Sequence, residues 1–212
     1  MAGTLIPVFS LRSEGSFGVG DFGDLKLMVD WMAKTHQRLL QVLPINDSTS
    51  THTWTDSYPY SCISIFALHP QYADLRQLPA LKDKLEADRF EVLREELNAL
   101  PQIDYERVNN AKLKYLRLLF EQEGKKVLAS KEFKTFFADC ERWLAPYAHY
   151  CYLRDFYGTC VFSEWPDHKQ WNEADRKALS NPKSELYNKV AFYYYMQFVL
   201  DQQMRSAHEY AR

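Results

Sequence analysis

A chain of 212 residues, 46% hydrophobic and 25% charged, can bury a core and is not disordered by composition. Its net charge of −2, with both signs interspersed, leaves no basic stripe for phosphates or an anionic membrane, which argues against nucleic-acid and membrane partners. The composition predicts one domain, or one domain carrying an insertion. No signal segment or bilayer-length apolar run is evident, so the expected location is cytoplasmic.

In chain order, Thr4-Leu5-Ile6-Pro7-Val8-Phe9 reads as a buried strand, with Pro7 marking an edge or an irregularity. A loop punctuated by Gly15, Gly18, Gly20 and Gly23 follows, and Asp21 and Asp24 stand where carboxylates favour a helix start. The spacing predicts a helix to about Lys34, with Leu25, Met28, Val29 and Met32 on a buried face beside Ala33. Residues 38–43 read as a second buried strand stopped by Pro44, completing a βαβ unit with parallel strands. Gly18-Val19-Gly20-Asp21-Phe22-Gly23 fits G-x-G-x-x-G literally. A dinucleotide site is nevertheless disfavoured, because residues 10–17 separate the first glycine from the strand end and strand two ends without an acidic residue for a ribose.

Residues 54–75 place aromatic rings on a turn after the second strand. Pro59 fixes its own φ and pushes Tyr58 toward extended geometry, so Tyr58 and Tyr60 sit on a stiff segment. A tyrosine can stack on the C–H face of a sugar and hydrogen-bond its rim at the same time. Spacing alone favours the reading in which these rings simply pack the loop down.

The chain then becomes charged, helical and poor in glycine to about residue 180. Helices are predicted over residues 86–100, ended by Pro101, and from an Asp104 cap to Gly124. Ser130 caps another carrying Phe133, Phe136, Phe137, Cys140, Trp143 and Leu144. Pro146 is expected to start a further helix, ended by Gly158. Trp165 and Trp171 read as anchors of a polar loop, and residues 185–212 as a long helix with Val190, Tyr194, Phe198 and Gln202 on one face. Local acidic pairs such as Asp21/Asp24, Asp83/Glu86 and Glu95/Glu96 read as unperturbed caps or solvated faces without catalytic use. Cys62, Cys140, Cys151 and Cys160 lack C-x-x-C spacing and read as buried, reduced thiols, not zinc ligands.

Ser57-Tyr58-Pro59-Tyr60-Ser61 followed by Phe66-Ala67-Leu68-His69-Pro70 resembles the amylomaltase or disproportionating-enzyme family of 4-α-glucanotransferases, most nearly its plant cytosolic branch. Gly18-Val19-Gly20 with Asp24-Leu25, and Gln41-Val42-Leu43-Pro44, fit the same pattern. So do Trp143-Leu144, Pro146-Tyr147-Ala148, Leu153-Arg154-Asp155-Phe156, Phe192, Tyr194-Tyr195, Gln197 and Glu209-Tyr210-Ala211-Arg212. A longer loop over residues 48–53 departs from it and bears on the role of Trp54.

The resemblance implies an α/β fold: the N-terminal fragment of a (β/α)8 TIM barrel with a large, mainly α-helical insertion. Residues 1–75 would form the first two strand–helix units, 76–184 the insertion and 185–212 a barrel helix. It further implies a retaining transfer of glucosyl units between α-1,4-glucans, maltose or maltooligosaccharides, with no metal or organic cofactor. Such chemistry needs a carboxylate nucleophile and a second acid about 5 Å away. The family's motifs for these are expected beyond Arg212, so no catalytic residue is assigned in this chain. Tyr60 is the implied sugar contact, with Trp54, Asp56 and Ser57 at neighbouring positions. The chain alone is expected to be inactive and to self-associate through unpartnered strand edges. A non-catalytic glucan-binding or interaction module is the alternative reading.

Overall fold

β1 (Gly3–Ile6) and β2 (Leu39–Val42) run parallel in the computed structural model, which describes residues 2–167 and 170–212; Gly3 lies opposite Leu39 and Ile6 opposite Val42. The first strand stops short of the expected Phe9. Pro7 has no N–H for a ladder, and residues Val8–Ser10 form a 3-10 turn in which Ser10 N–H bonds the Pro7 carbonyl at 3.0 Å. Neither strand is buried as expected. Leu5 and Leu39 are each 57% exposed, because among the described residues the sheet has these two strands alone.

α1 (Phe22–Lys34) begins at a reciprocal capping box: the Asp21 carboxylate accepts from the Gly23 and Asp24 N–H groups, and the Asp24 carboxylate accepts from the Asp21 N–H. Leu25 and Met32 are buried and Met28 and Val29 half-buried, but Ala33 is exposed. The apolar stripe is therefore narrower than its spacing suggests.

α2 (Lys84–Ala99) starts from an Asp83 cap and α3 (Tyr105–Ala129) from Asp104. Gly124 does not end α3 as expected. A side chain there would lie 2.3 Å from the Phe120 ring, so the glycine makes room for Phe120 to pack on Phe192 and Tyr195. α4 (Lys131–Tyr157) likewise runs straight through Pro146, which lies inside it and does not begin a new helix. An interior proline costs about 3 kcal/mol, and the burial of Leu144, Ala145, Tyr147 and Ala148 around it offsets that cost. Gly158, at φ 69°, ends α4 in the left-handed conformation open to glycine. Trp165 anchors the following segment: it is buried, and its indole N–H donates to the Thr159 carbonyl at 2.9 Å. Trp171 stays largely exposed.

α5 (Glu173–Leu179) is a short helix within the stretch expected to be a polar loop; an Asn172 side chain caps it. α6 (Glu185–Tyr210) then passes through the middle of the molecule, buried on every side over residues 190–198. A helix buried all round loses amphipathic periodicity, so the single expected face is incomplete. Gln202 is exposed, and Gln203 points inward in its place. One hydrophobic cluster links Val8, Phe22 and Leu25 near the strands to Phe133, Leu144 and Tyr194, with α6 at its centre.

Candidate functional site: a rigid aromatic loop

The loop after β2 is pinched at its base. Asn46 and Leu68 form an antiparallel bridge, Asp47 N–H donates to the Ala67 carbonyl at 2.8 Å, and Ile63 N–H donates to the Asp47 carbonyl at 2.8 Å. Residues 48–62 project beyond this stem. α4 and α6 hold the stem from behind: Tyr147 Oη donates to Asp47 Oδ2 at 2.6 Å, and the Gln197 side chain bonds both backbone groups of Leu68.

Asp56 organises the projecting part. It is 2% exposed, and its carboxylate accepts from Ser50 Oγ, Thr51 N–H, Thr51 Oγ1 and His52 N–H at 2.7–3.1 Å. Its carbonyl accepts from Ser48 Oγ at 2.5 Å and from His69 Nε2 at 3.3 Å. His69 Nδ1 accepts from Gln71 N–H at 3.1 Å, which leaves the ring proton on Nε2 to donate to Asp56. Burial holds the His69 pKa below the usual histidine value, so the ring stays neutral. Asp56, expected beside the sugar, has its oxygens taken up by the loop's own donors and braces the loop from within.

That brace leaves the rings outside. Trp54, at the start of a 3-10 turn over Trp54–Ser57, is 68% exposed, and its N–H donates to Glu106 Oε1 of α3 at 2.8 Å. Tyr60 is 60% exposed, and the exposed Tyr58 lies beside it with ring centroids 5.5 Å apart and planes tilted by 57°. Ser57 Oγ donates to the Trp54 carbonyl at 2.7 Å, so its hydroxyl helps hold the turn. Trp54 and Tyr60, with Tyr58, thus present apolar faces and polar tips on a braced support.

The glycine-rich segment beside this loop belongs to a buried charge cluster. Arg76 Nε donates to Asp74 Oδ1 at 2.7 Å, and Arg76 Nη2 reaches Asp21 Oδ1 at 3.1 Å and Asp24 Oδ1 at 3.4 Å. Ser13 Oγ and Ser16 Oγ also donate to Asp24, at 2.6 and 2.7 Å. Lys112 of α3, 0% exposed, donates to the Gln71 and Ala73 carbonyls at 2.7 Å each and lies 3.7 Å from Asp21. Asp21 is accordingly not the unperturbed cap expected from sequence. Burial raises its pKa to about 7 against the pull of Lys112, with Asp24 and Asp74 adding to the rise. The same burial lowers the Lys112 pKa. The sequence reading missed Arg76 and Lys112, since a lysine in a charged helix gives no sign that its head is buried.

The glycines of the G-x-G-x-x-G stretch serve packing. A side chain at Gly23 would lie 1.9 Å from Asp74 Oδ2, and one at Gly20 would lie 2.1 Å from the Val8 carbonyl. Gly18, at φ 74°, presses on Leu97 and Val108.

Comparison with known proteins agrees with the resemblance read from the motifs. A 4-alpha-glucanotransferase family model, that of glycoside hydrolase family 77, matches residues 6–212. The chain is 40% identical over 213 residues to the 4-alpha-glucanotransferase DPE2 of Oryza sativa subsp. japonica, covering 100% of this chain and 22% of that protein. It is 30% identical to the 4-alpha-glucanotransferase of Chlamydia caviae, covering 99% of this chain and 38% of that one. The chain thus spans well under half of either relative. In fold it is similar to amylomaltase from Corynebacterium glutamicum (TM-score 0.74, 22% identity, 99% of this chain and 28% of that one). It is also similar to Streptococcus agalactiae amylomaltase in complex with acarbose (TM-score 0.72, 20% identity, 99% of this chain and 40% of that one). The family match covers nearly the whole sequence, and the chain belongs to the 4-alpha-glucanotransferase family.

Proposed function

We propose that the chain forms part of a 4-alpha-glucanotransferase moving glucosyl or maltooligosaccharide units between α-1,4-glucans by a retaining double displacement, and that its own contribution is to bind glucan. The observation that carries this reading is the exposure of Tyr60 and Trp54 on a loop whose central carboxylate, Asp56, is already held by the loop's own donors. Little ordering entropy then opposes stacking on a sugar ring. Tyr60 is the principal contact, Trp54 and Ser57 flank it, and Asp56 acts through the loop it braces. The buried acids Asp21, Asp24 and Asp74 are engaged with Arg76, Lys112 and nearby hydroxyls. The nucleophile and acid/base are assigned to other parts of the longer protein.

In the same reading β1, α1 and β2 are the opening of a (β/α)8 barrel, residues 76–184 a mainly helical insertion and α6 a barrel helix. Loops following the strands then belong to the catalytic face, where the aromatic loop stands. The exposed Leu5 and Leu39 are positions that further strands would cover, and in the isolated chain they promote self-association. The unpaired thiols suit the cytoplasm.

Titration of the chain with acarbose and with maltooligosaccharides tests the binding role. Saturable binding lost in Tyr60→Ala is the expected result; binding indifferent to Tyr60 would remove the assignment. In the longer protein, Tyr60→Ala should lower turnover far more than thermal stability, and Tyr60→Phe, which keeps the stacking face, should be milder. Glucanotransfer by the isolated chain would instead place a catalytic pair within it.

A further inference from the structure

The far side of the aromatic loop is fastened to one carboxylate on a distant helix. His52 Nε2 lies 2.9 Å from Asp155 Oδ1, across a sequence separation of 103. The position of that carboxylate is itself fixed. Arg154 Nε donates to Oδ1 at 2.7 Å, Tyr193 Oη of α6 donates to Oδ2 at 2.6 Å, and the Arg117 guanidinium of α3 lies 3.7 Å from Oδ2. Arg154 also donates through Nη1 to the Thr49 carbonyl at the root of the loop. Helices α3, α4 and α6 therefore meet the loop at Asp155. His52 adopts φ 58°, an uncommon conformation for a residue with a side chain, while its N–H donates to Asp56. Such backbone strain persists where surrounding contacts over-determine it.

We propose that Asp155 is a positioning residue for the glucan-binding loop, acting through His52, so that the helical part of the chain sets where Trp54 and Tyr60 stand. The proposal rests on the reading of that loop as the sugar-contacting rim. With the His52–Asp155 contact removed, the loop keeps its stem and its Asp56 brace and so stays folded. It keeps the ties of Thr49 to Arg154 and of the Trp54 N–H to Glu106 but loses the His52 tie between them, so the segment shifts and binding weakens by the fraction of time the rings are out of place.

His52→Gly tests this without disturbing the core, because it relieves the positive φ and leaves Asp155 to Arg154 and Tyr193. The expected result is an unchanged melting midpoint, acarbose affinity weaker by about fivefold, and amide exchange at Thr51 and His52 faster by about tenfold. His52→Gln, which keeps a donor of similar reach, should recover most of the affinity. Unchanged affinity and exchange in His52→Gly, with Tyr60→Ala still abolishing binding, would overturn the positioning role and leave the loop's sugar contact standing. A lowered melting midpoint accompanying the affinity loss would make His52 a stability residue and overturn the role equally. Binding that is absent, or independent of Tyr60, would remove the glucan reading and the proposal with it.

Discussion

The side chain of Gln197 acts as a strand partner for Leu68: its Oε1 accepts from the Leu68 N–H and its Nε2 donates to the Leu68 carbonyl, both at 2.8 Å. Gln203 does the same for Asp74, again at 2.8 Å in each direction. Two amides on the central helix thus replace the ladder hydrogen bonds that an irregular segment cannot find in a sheet. Gln197→Leu should destabilise the chain by about 2–3 kcal/mol, because it leaves two backbone groups without partners beneath the aromatic loop. Gln197→Glu should cost less, since it still accepts from the Leu68 N–H. Urea unfolding of the two variants checks the order; equal stability would mean that water replaces both bonds.

Asp21 gives the stability a pH dependence of unusual sign. Its folded pKa, about 7, lies above the ordinary aspartate value of 3.8, so between those values the folded chain holds a proton that the unfolded chain has released. Its contribution is greatest at low pH and declines as pH rises from about 4 to 7. His69 acts in the opposite sense: its folded pKa lies below 6.5, and its contribution is lost as pH falls through that value. Asp21→Asn isolates the first effect, since asparagine also caps a helix. The stability of the variant relative to the native chain should improve between pH 5 and pH 8, on the order of a few kcal/mol. A difference independent of pH would show that Asp21 ionises as it does in the unfolded chain.

Gly23→Ala should be among the most damaging single-methyl additions, because the new carbon would stand 1.9 Å from Asp74 Oδ2 and 2.7 Å from Arg76 Nη2. Both groups are tied into the charge cluster and cannot simply step aside. Gly158→Ala has open space around it and carries only the strain of a positive φ. Thermal unfolding should show a loss of about 2–3 kcal/mol for Gly23→Ala and about 1 kcal/mol for Gly158→Ala. The reverse order would mean that Asp74 and Arg76 are not held where the structure places them.

The βαβ unit, the Asp21, Asp104 and Ser130 caps and the Gly158 stop were legible because each is a local device with its own residue chemistry. Gly124 and Pro146 misled for the same reason. Their local preference is to break a helix, and only packing that the sequence does not display, Phe120 over Gly124 and the buried neighbours of Pro146, overrides it. Tyr60 was legible as a candidate from the stiff Tyr-Pro-Tyr turn. The inward turn of Asp56 was not, because a carboxylate in a polar loop reads the same whether it meets solvent or four donors of its own chain. Lys112, Arg76 and Asp155 were hidden for a related reason: the partners that bury or fix them include distant ones, Asp21 and Gln71 for Lys112, Asp21 and Asp24 for Arg76, His52 and Tyr193 for Asp155.

The thiols offer a last check on the packing around the site. All four cysteines are unpaired, but they differ in access. Cys151 is buried in α4 between the residues that hold the aromatic loop, Tyr147 and Arg154, and burial pushes its thiol up to about 12. Cys140 is half-buried, and its pKa is raised by desolvation and then by Asp201. Cys62 and Cys160 are half-buried on irregular segments. Since the thiolate is the reactive form, alkylation of the native chain near pH 8 should modify Cys62 and Cys160 first, Cys140 more slowly, and Cys151 only on unfolding. Loosening the loop stem by Gln197→Leu should advance the modification of Cys151, because its cover includes Tyr147, which accepts from Gln197 Nε2 at 3.1 Å. Mass spectrometry of timed, quenched samples reads all four sites at once. Early labelling of Cys151 in the unaltered chain would show that the wall behind the aromatic loop opens on its own, and the loop could not then be the rigid support on which sugar binding is argued.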